Sequence, residues 1–558
     1  MGKSLSSDQR ERLLKEMAQQ TFDVLVIGGG ITGAGIALDA ASRGLKTALI
    51  EMQDFAAGTS SRSTKLVHGG LRYLKQLEVK VVAEVGKERA IVYENGPHVT
   101  TPEWMLLPLY AGGTFGKWST SLGLRFYDYL AGVKRHERRR MLTREEALAK
   151  EPLLKPEGLR GGGIYVEYRT DDARLTMEVL KKAVELGTYA VNYTQAMAFQ
   201  YDKGQVCGVQ TEDKITDQSF SVQAHTIINA AGPWVDDLRA MDHSRIGSKI
   251  YHTKGVHLVF DQSRFPLRQA IYFDTPDGRM VFAIPRAGKT YIGTTDTEYN
   301  GDMTKPRMTV QDRDYLLAAA NGMFPSLALT MEDVESSWAG LRPLIHQEGK
   351  SPSEISRKDE VFHSLSGLIS IAGGKLTGYR HMAENVVNAV VKRRIESGLD
   401  TAERPCKTKQ LPISGGEFGG SKQWEAFVRD RAHQGRAFGL TLEEAERLTR
   451  RYGANVDVIF DLVPACQKEL RRYNDMPPGL LAELSYAIQY EMAVTPADFF
   501  IRRTGAMLFD VESVRKWREP VIRYMAIQLN WSFEERERYS LELKQLLQEA
   551  VSAVSQDE

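Results

Sequence analysis

Three glycine-containing clusters in this chain carry residue types that can hold phosphates and flat rings. The first is Gly28-x-Gly30-x-x-Gly33. In that spacing the first glycine makes a strand-to-helix turn, the second lets backbone approach a pyrophosphate, and the third lets helix and sheet pack closely. Glu51 stands about twenty residues beyond Gly30, the offset of an acid that meets a ribose hydroxyl. The second cluster, GTSSRSTKLVHGGLRYL at 58–74, sets Thr59, Ser60, Ser63, Lys65 and His68 ahead of Gly69-Gly70. Hydroxyls, cations and N–H groups suit phosphates and ring edges, while paired glycines let backbone approach a flat ring. The third is Gly373-Gly374-Lys375-Leu376-Thr377, followed by Tyr379-Arg380. Glycines between an apolar run and a helix start present N–H groups that hold negative charge. The chemistry is that of a dinucleotide-binding enzyme.

The elements that must position these clusters are legible around them. The run Val24–Ile27 enters the first glycine turn, a helical pattern with Ala34, Ala37 and Ala41 follows, Gly44 stops it, and Thr47–Ile50 ends at Glu51. This is a βαβ unit. Two later apolar runs, His225–Ala231 and Leu368–Ala372, also end in glycine, at Gly232 and at Gly373-Gly374. Ligands of doubly wound sheets collect at the carboxyl ends of the strands, so the three turns are expected to surround one ligand. A nucleotide domain that touches its ligand from position 28 to position 377 is interrupted. We therefore expect an arm at 1–21 and an oxidoreductase domain at 22–400. Its nucleotide-binding pieces fall at about 22–96, 164–250 and 344–398, and its inserted β-rich substrate-domain pieces at about 97–163 and 252–343. Residues 401–558, rich in Glu, Arg, Leu and Ala at helical spacing, form an all-helical C-terminal domain. The fold class is α/β, a Rossmann-like domain with a β-rich insertion and an all-α appendage.

Bulk properties exclude several classes. At 558 residues the chain exceeds what one core organises, so two or three domains are expected. A net charge of +1 argues against a nucleic-acid partner. Cys207, Cys406 and Cys466 are odd in number and far apart, which fits a reducing compartment and gives no metal-ligand spacing. The first residues lack the apolar centre of a signal peptide, and no apolar run is long enough to span a bilayer. The expectation is a cytoplasmic protein.

The segments GGGITGAGIA, TSSRSTKLVHGGLRYL, IINAAGPW, IGTTD, GLRPL and GGKLTGYR occur in the order found in FAD-dependent glycerol-3-phosphate dehydrogenases. Over about 22–535 the chain resembles the aerobic, quinone-linked bacterial branch of that family, within the D-amino-acid-oxidase-like flavoproteins. The resemblance implies FAD as cofactor. Its adenosine would lie by Glu51, its pyrophosphate at Gly28–Gly33, and its isoalloxazine between HGGLRYL and the GGKLT turn. It implies oxidation of sn-glycerol 3-phosphate at C2 to dihydroxyacetone phosphate, with electrons passing to a membrane quinone. By the same carry-over Arg342 faces the reacting oxygen and Lys375 stabilises anionic forms of flavin or substrate. Arg72, Tyr73 and Arg357 hold the phosphate. His68 is the expected proton acceptor, since an imidazole titrates near working pH. His252 and His257 are a second option, with core or surface roles expected for both.

A quinone acceptor requires access to a membrane. The aromatic-rich stretch at 104–140, closed by KRHERRR, suits a headgroup layer and anionic lipid, and so implies peripheral attachment at the inner face of the cell membrane. A homodimer is compatible with the sequence and is not fixed by it. Two rival activities share the fold: an oxygen-dependent glycerol-3-phosphate oxidase and a D-amino-acid or N-methyl-amino-acid oxidase. The second would leave the cations Arg72 and Arg357 without a purpose.

Overall fold

A computed structural model describes residues 5–67, 79–113, 139–245, 247, 249–345, 359–400, 403–473 and 476–555. Val24, Leu25 and Val26 are fully buried, because the strand Thr21–Ile27 has a parallel neighbour on each side. Ser219–Asn229 flanks it on one side and Thr47–Ile50 on the other. A strand covered on both faces reads as a continuous apolar run. The eight-stranded sheet continues from Ser219–Asn229 to Ile369–Ala372 and Glu360–His363, and from Thr47–Ile50 to Tyr189–Val191. The strands Thr194–Asp202 and Gln205–Asp213 extend it from Ser219–Asn229.

The helix Ile31–Ser42 lies against this sheet with almost no side-chain spacing. A Cβ on Gly33 would stand 1.9 Å from the Gly28 carbonyl oxygen, and Gly28 itself adopts φ +118° with the Ala230 carbonyl 2.4 Å from where its Cβ would be. Both contacts are with backbone, so neither could relax around a larger residue. The same helix packs on its far side against Tyr379–Glu396.

A second sheet of ten strands carries the other wall of the molecule. Its order runs Thr297–Glu298, Ile250–Asp261, Lys289–Gly293, Met280–Arg286, Ala270–Asp274, Thr100–Tyr110, Leu159–Thr170, Leu66–Val67. Val334–Ile345 also pairs with Ile250–Asp261, and Arg140–Leu142 with Leu159–Thr170. This corrects the expected boundaries at 163/164 and 343/344, which fall inside strands of this sheet. Gly161-Gly162-Gly163 reads as a break in sequence, yet these glycines pair with Leu107–Leu109. Their bareness admits the neighbouring strand: a Cβ on Gly161 would meet the Leu142 carbonyl at 2.4 Å. The chain returns to the first sheet only after Thr170, through the helix Asp172–Glu185. Leu66–Val67 likewise leaves the nucleotide-binding sheet early to join the second one.

At the N-terminus the helix Arg10–Ala18 buries Leu13, Leu14 and Met17, and Arg10 pairs with Asp213 at 2.6 Å. It is a docked element. The C-terminal region is helical, including Trp424–Gly435, Leu442–Tyr452, Val456–Gln467, Pro478–Tyr490, Val511–Gln528 and Phe533–Glu549. Thr441 with Glu444, and Ser532 with Glu535, form reciprocal capping boxes at two helix starts, each satisfying two otherwise orphaned N–H groups. This region has its own apolar core around Tyr452, Phe460, Leu484 and Phe499.

It is tied to the first sheet by buried charge. Asp54, three residues past Glu51, accepts from Arg503 at 2.7 and 2.8 Å and from Arg502, both on the π-helical turn Asp498–Arg503. Asn192 adds a bond to Asp54 at 3.0 Å, Tyr193 donates to Asp498 at 2.6 Å, and Arg502 also reaches Asp498 at 2.5 Å. Burial alone would raise the Asp54 pKa; the charges of Arg503 and Arg502 outweigh it and hold it at about 2. Removing one partner of a buried pair strands the other, which costs about 3–5 kcal/mol. Asp54→Asn should therefore lower the melting temperature at neutral pH. Because folding lowers this pKa from 3.8 to about 2, the contribution is complete above about pH 4 and fades as pH falls towards 2. Melting curves across that range should show the parent–variant gap narrowing; a pH-independent gap would locate the stabilisation elsewhere.

Candidate functional site

The three glycine turns meet. Thr21–Ile27, Ser219–Asn229 and Ile369–Ala372 are adjacent parallel strands, so the turns at Gly28–Gly30, Ala230–Gly232 and Gly373-Gly374 leave the same sheet edge. All three line one cavity of about 790 Å³, well within the range of ligand-binding clefts. The N-terminus of Ile31–Ser42 opens onto it, with the positive end of the helix dipole directed at whatever binds there. Ser60 Oγ accepts the Ile31 N–H at 2.9 Å, which locks the 58–63 segment onto the start of that helix. Gly33 serves packing instead of lining.

Glu51 lies on the cavity wall, its carboxylate held by the N–H groups of Gly29 at 2.6 Å and Gln53 at 2.8 Å. Burial raises its pKa, and those two backbone donors oppose the rise. Thr59, Ser60 and Ser63 line the cavity too. Thr59 donates to the Leu341 carbonyl at 2.8 Å and so ties this segment to the second sheet. Ser63 donates through both its N–H and its hydroxyl to Asp172, at 3.1 and 2.6 Å.

Lys65 departs from the expected ligand contact. Its ammonium is buried against Asp172 at 2.6 Å and the Ser61 carbonyl at 3.0 Å, and it stands 5.4 Å from the Trp338 ring. It does not line the cavity. Lys65 acts as an internal tie, and Asp172, at the first turn of its helix, is the acid that organises both Ser63 and Lys65. Nothing near Asp172 in sequence signals this role.

From the Gly373 turn, Lys375, Leu376 and Thr377 reach the wall beside Gly374. Opposite, the second sheet contributes Arg342 from Val334–Ile345. Its guanidinium donates to Asp296 at 2.9 Å, to the Thr295 carbonyl at 3.2 Å and to Thr294 Oγ1 at 3.0 Å. The IGTTD and GLRPL segments, far apart in sequence, thus make one fixture that presents an arginine to the cavity.

His257 was expected in a core or surface role, and the structure places it on the cavity wall. It stacks on Trp338 at 4.6 Å, with Nε2 3.0 Å from Thr64 Oγ1. Burial, then the charges of Arg342 and Lys65, hold its pKa well below the ordinary imidazole value. The ring is neutral at working pH. His252 bonds the Pro233 carbonyl at 2.9 Å and braces the Gly232 turn. His68, Arg72, Tyr73 and Arg357 lie outside the described residues. The arrangement brings a cation-bearing wall, a neutral imidazole and an anion-binding helix start to one cleft, a set suited to a dinucleotide and an oxidisable alcohol.

Gly33→Ala tests the turn. With backbone 1.9 Å from the new methyl, the helix start must retreat from the Gly28 turn. Dinucleotide affinity, titrated by fluorescence, should weaken by about tenfold or more, a change of about 1.4 kcal/mol. Unchanged affinity would move the anion away from this turn.

Comparison with known proteins agrees with this geometry. Residues 23–380 match the family model described as FAD dependent oxidoreductase, and residues 406–536 the one described as C-terminal domain of alpha-glycerophosphate oxidase. The chain is 60% identical to an aerobic glycerol-3-phosphate dehydrogenase of Bacillus subtilis (strain 168), covering 100% of both chains. It is 56% identical to that of Staphylococcus aureus (strain USA300), covering 98% of both. Among solved structures, the glycerol-3-phosphate dehydrogenase from Bacillus halodurans complexed with FAD is similar, with TM-score 0.86 and 50% identity over 99% of this chain and 100% of that one. With the turns, the two sheets and the helical appendage all accounted for, the chain belongs to the FAD dependent oxidoreductase family, among the aerobic glycerol-3-phosphate dehydrogenases.

Proposed function

We propose that this chain binds FAD and oxidises sn-glycerol 3-phosphate at C2 to dihydroxyacetone phosphate, passing the electrons to a membrane quinone. The observation that carries the reading is the convergence of three glycine turns, Arg342, Lys375 and His257 on one cavity, in a chain 60% identical over its whole length to an enzyme of that name. The residues fit FAD. Gly28 and Gly30 line the cavity at the strand-to-helix turn, and the helix start beyond them supplies N–H donors for a diphosphate. When bound, FAD supplies an acceptor for the hydride that leaves C2.

The remaining work falls to side chains. A secondary alcohol gives up hydride only as its hydroxyl proton leaves, so the site needs a proton acceptor and a charge beside the developing alkoxide. His257 is neutral and can take that proton. It is the second candidate beside His68, the acceptor expected from the sequence, which lies outside the described residues. Arg342, fixed by Asp296 and the Thr294–Thr295 segment, stabilises the oxygen as charge builds on it. Lys375 adds positive charge from the opposite wall. Arg72, Tyr73 and Arg357 hold the phosphate, whose nearly double negative charge calls for clustered cations.

Anaerobic flavin bleaching on adding glycerol 3-phosphate tests the reading. The parent should bleach, and a D-amino acid should not bleach it. His257→Gln should retain FAD but slow bleaching about 100-fold or more. Since the His257 pKa lies well below 6.5, the parent rate should persist as pH falls through 6.5 and drop only at lower pH. A His257→Gln enzyme that bleaches at the parent rate ends the assignment.

Among the described residues no helix is long and apolar enough to cross a membrane, and we propose peripheral attachment for a quinone-linked enzyme. We propose that it uses the basic end of the stretch at 104–140, at the inner face of the cell membrane; Met105, Leu106, Leu107 and Leu109 are buried in the second sheet. Co-flotation with anionic liposomes should fall when Arg138, Arg139 and Arg140 are replaced together; undiminished flotation would remove this patch from consideration.

A further inference from the structure

Arg62 lines the cavity wall, and among the described residues its guanidinium makes two long bonds, both at 3.3 Å, to the single carbonyl of Thr304. Among the described residues no carboxylate stands within ion-pair distance of it. Neighbouring arginines are served differently. Arg502 and Arg503 share Asp54, and Arg342 has Asp296. Burial lowers the Arg62 pKa to about 10, the like charge of Arg502 adds to this, and Tyr299 and Asp302 oppose it only in part. At neutral pH the group keeps its charge. A half-buried charge with one weak acceptor is poorly served until an anion arrives.

Its backbone is fixed with care. The Arg62 N–H closes the turn on Thr59 at 3.1 Å. A Cβ on Gly340 would meet the Arg62 carbonyl oxygen at 2.2 Å, so the second sheet is bare at the point where it grips this residue. Two residues earlier, Ser60 Oγ holds the Ile31 N–H at 2.9 Å. Arg62 is therefore anchored between the dinucleotide turn and the opposite sheet.

Ser60, on the same turn as Arg62, bonds the start of Ile31–Ser42, which puts Arg62 beside the dinucleotide turn. We propose that Arg62 is the counter-cation of the cofactor's diphosphate, closing over it from the wall opposite the N-terminus of Ile31–Ser42. The inference rests on the FAD reading above. Together the helix start and the guanidinium would hold the diphosphate from two sides, with paired N–H bonds that lysine cannot reproduce.

FAD release from the holoenzyme, followed by the rise in free-flavin fluorescence on dilution, tests this. Arg62→Ala should raise the FAD dissociation constant about 10- to 100-fold, and Arg62→Lys by less. The slope of affinity against KCl concentration should flatten in Arg62→Ala, since one screened attraction is gone. Melting curves separate binding from folding. The apoprotein of Arg62→Ala should melt at or above the parent apoprotein, because an uncompensated charge has been removed, while the gain on adding FAD should shrink. Equal losses with and without FAD would make Arg62 a structural residue and overturn the proposal. So would unchanged FAD retention with a raised KM for glycerol 3-phosphate, which would assign Arg62 to the substrate's phosphate. A parent protein that takes up no FAD would instead refute the underlying cofactor reading.

Discussion

The parallel pairing of Ser219–Asn229 with Thr21–Ile27 on one side and Ile369–Ala372 on the other is the constraint from which the site follows. Parallel neighbours end on the same edge of a sheet, so whatever follows each strand is delivered to one place. Here each is followed by a glycine-containing turn, and the three turns line one cavity. The close fit of Gly28 against Ala230, and of Gly33 against Gly28, then sets the distance between neighbouring turns. The first sheet thereby builds a nucleotide cradle almost wholly from backbone. The other wall of the cavity comes from the second sheet, where Val334–Ile345 and Ile250–Asp261 supply Arg342 and His257.

Electrostatics divides the labour between these walls. Among the cations around the cavity, Lys65, Arg502 and Arg503 are neutralised within the protein, by Asp172, Asp54 and Asp498. Arg342 is steadied by Asp296 but still faces the cavity. Paired cations fix loops, and cations presented to the cavity raise its potential for an anionic cofactor and an anionic substrate. That same positive field, together with burial, is what keeps His257 neutral.

Much of this was legible from local pattern. The first βαβ unit, the glycine turns at 232 and 373, and the helical C-terminal region all announce themselves within a few residues, because strand, turn and helix periodicity are local properties. What escaped depended on partners remote in sequence. Lys65 reads as a ligand until Asp172 is seen beside it. The Leu159–Thr170 strand hides behind three glycines that look like a turn and instead admit the neighbouring strand. His257 sits in an apolar run, where a histidine suggests core, and only the closure of the second sheet over the first brings it to the cavity. Arg502 and Arg503 carry no local signal of their partners; they are buried against Asp54, far away in sequence.

That last pair changes how the C-terminal region should be understood. Asp54 lies in the short loop that also carries Glu51, and an unpaired buried carboxylate there would be strongly unfavourable. Its two guanidinium partners arrive only when the π-helical turn Asp498–Arg503 docks. Arg174, on the helix that returns the chain from the second sheet to the first, pairs with Glu491 at 2.7 Å, a second buried tie to the same region. The nucleotide-binding sheet therefore cannot settle its own loop at Glu51 without residues from the far end of the chain. The helical region is thus a structural support of the cavity: among the described residues it contributes none to the wall and yet fixes the loop that carries Glu51.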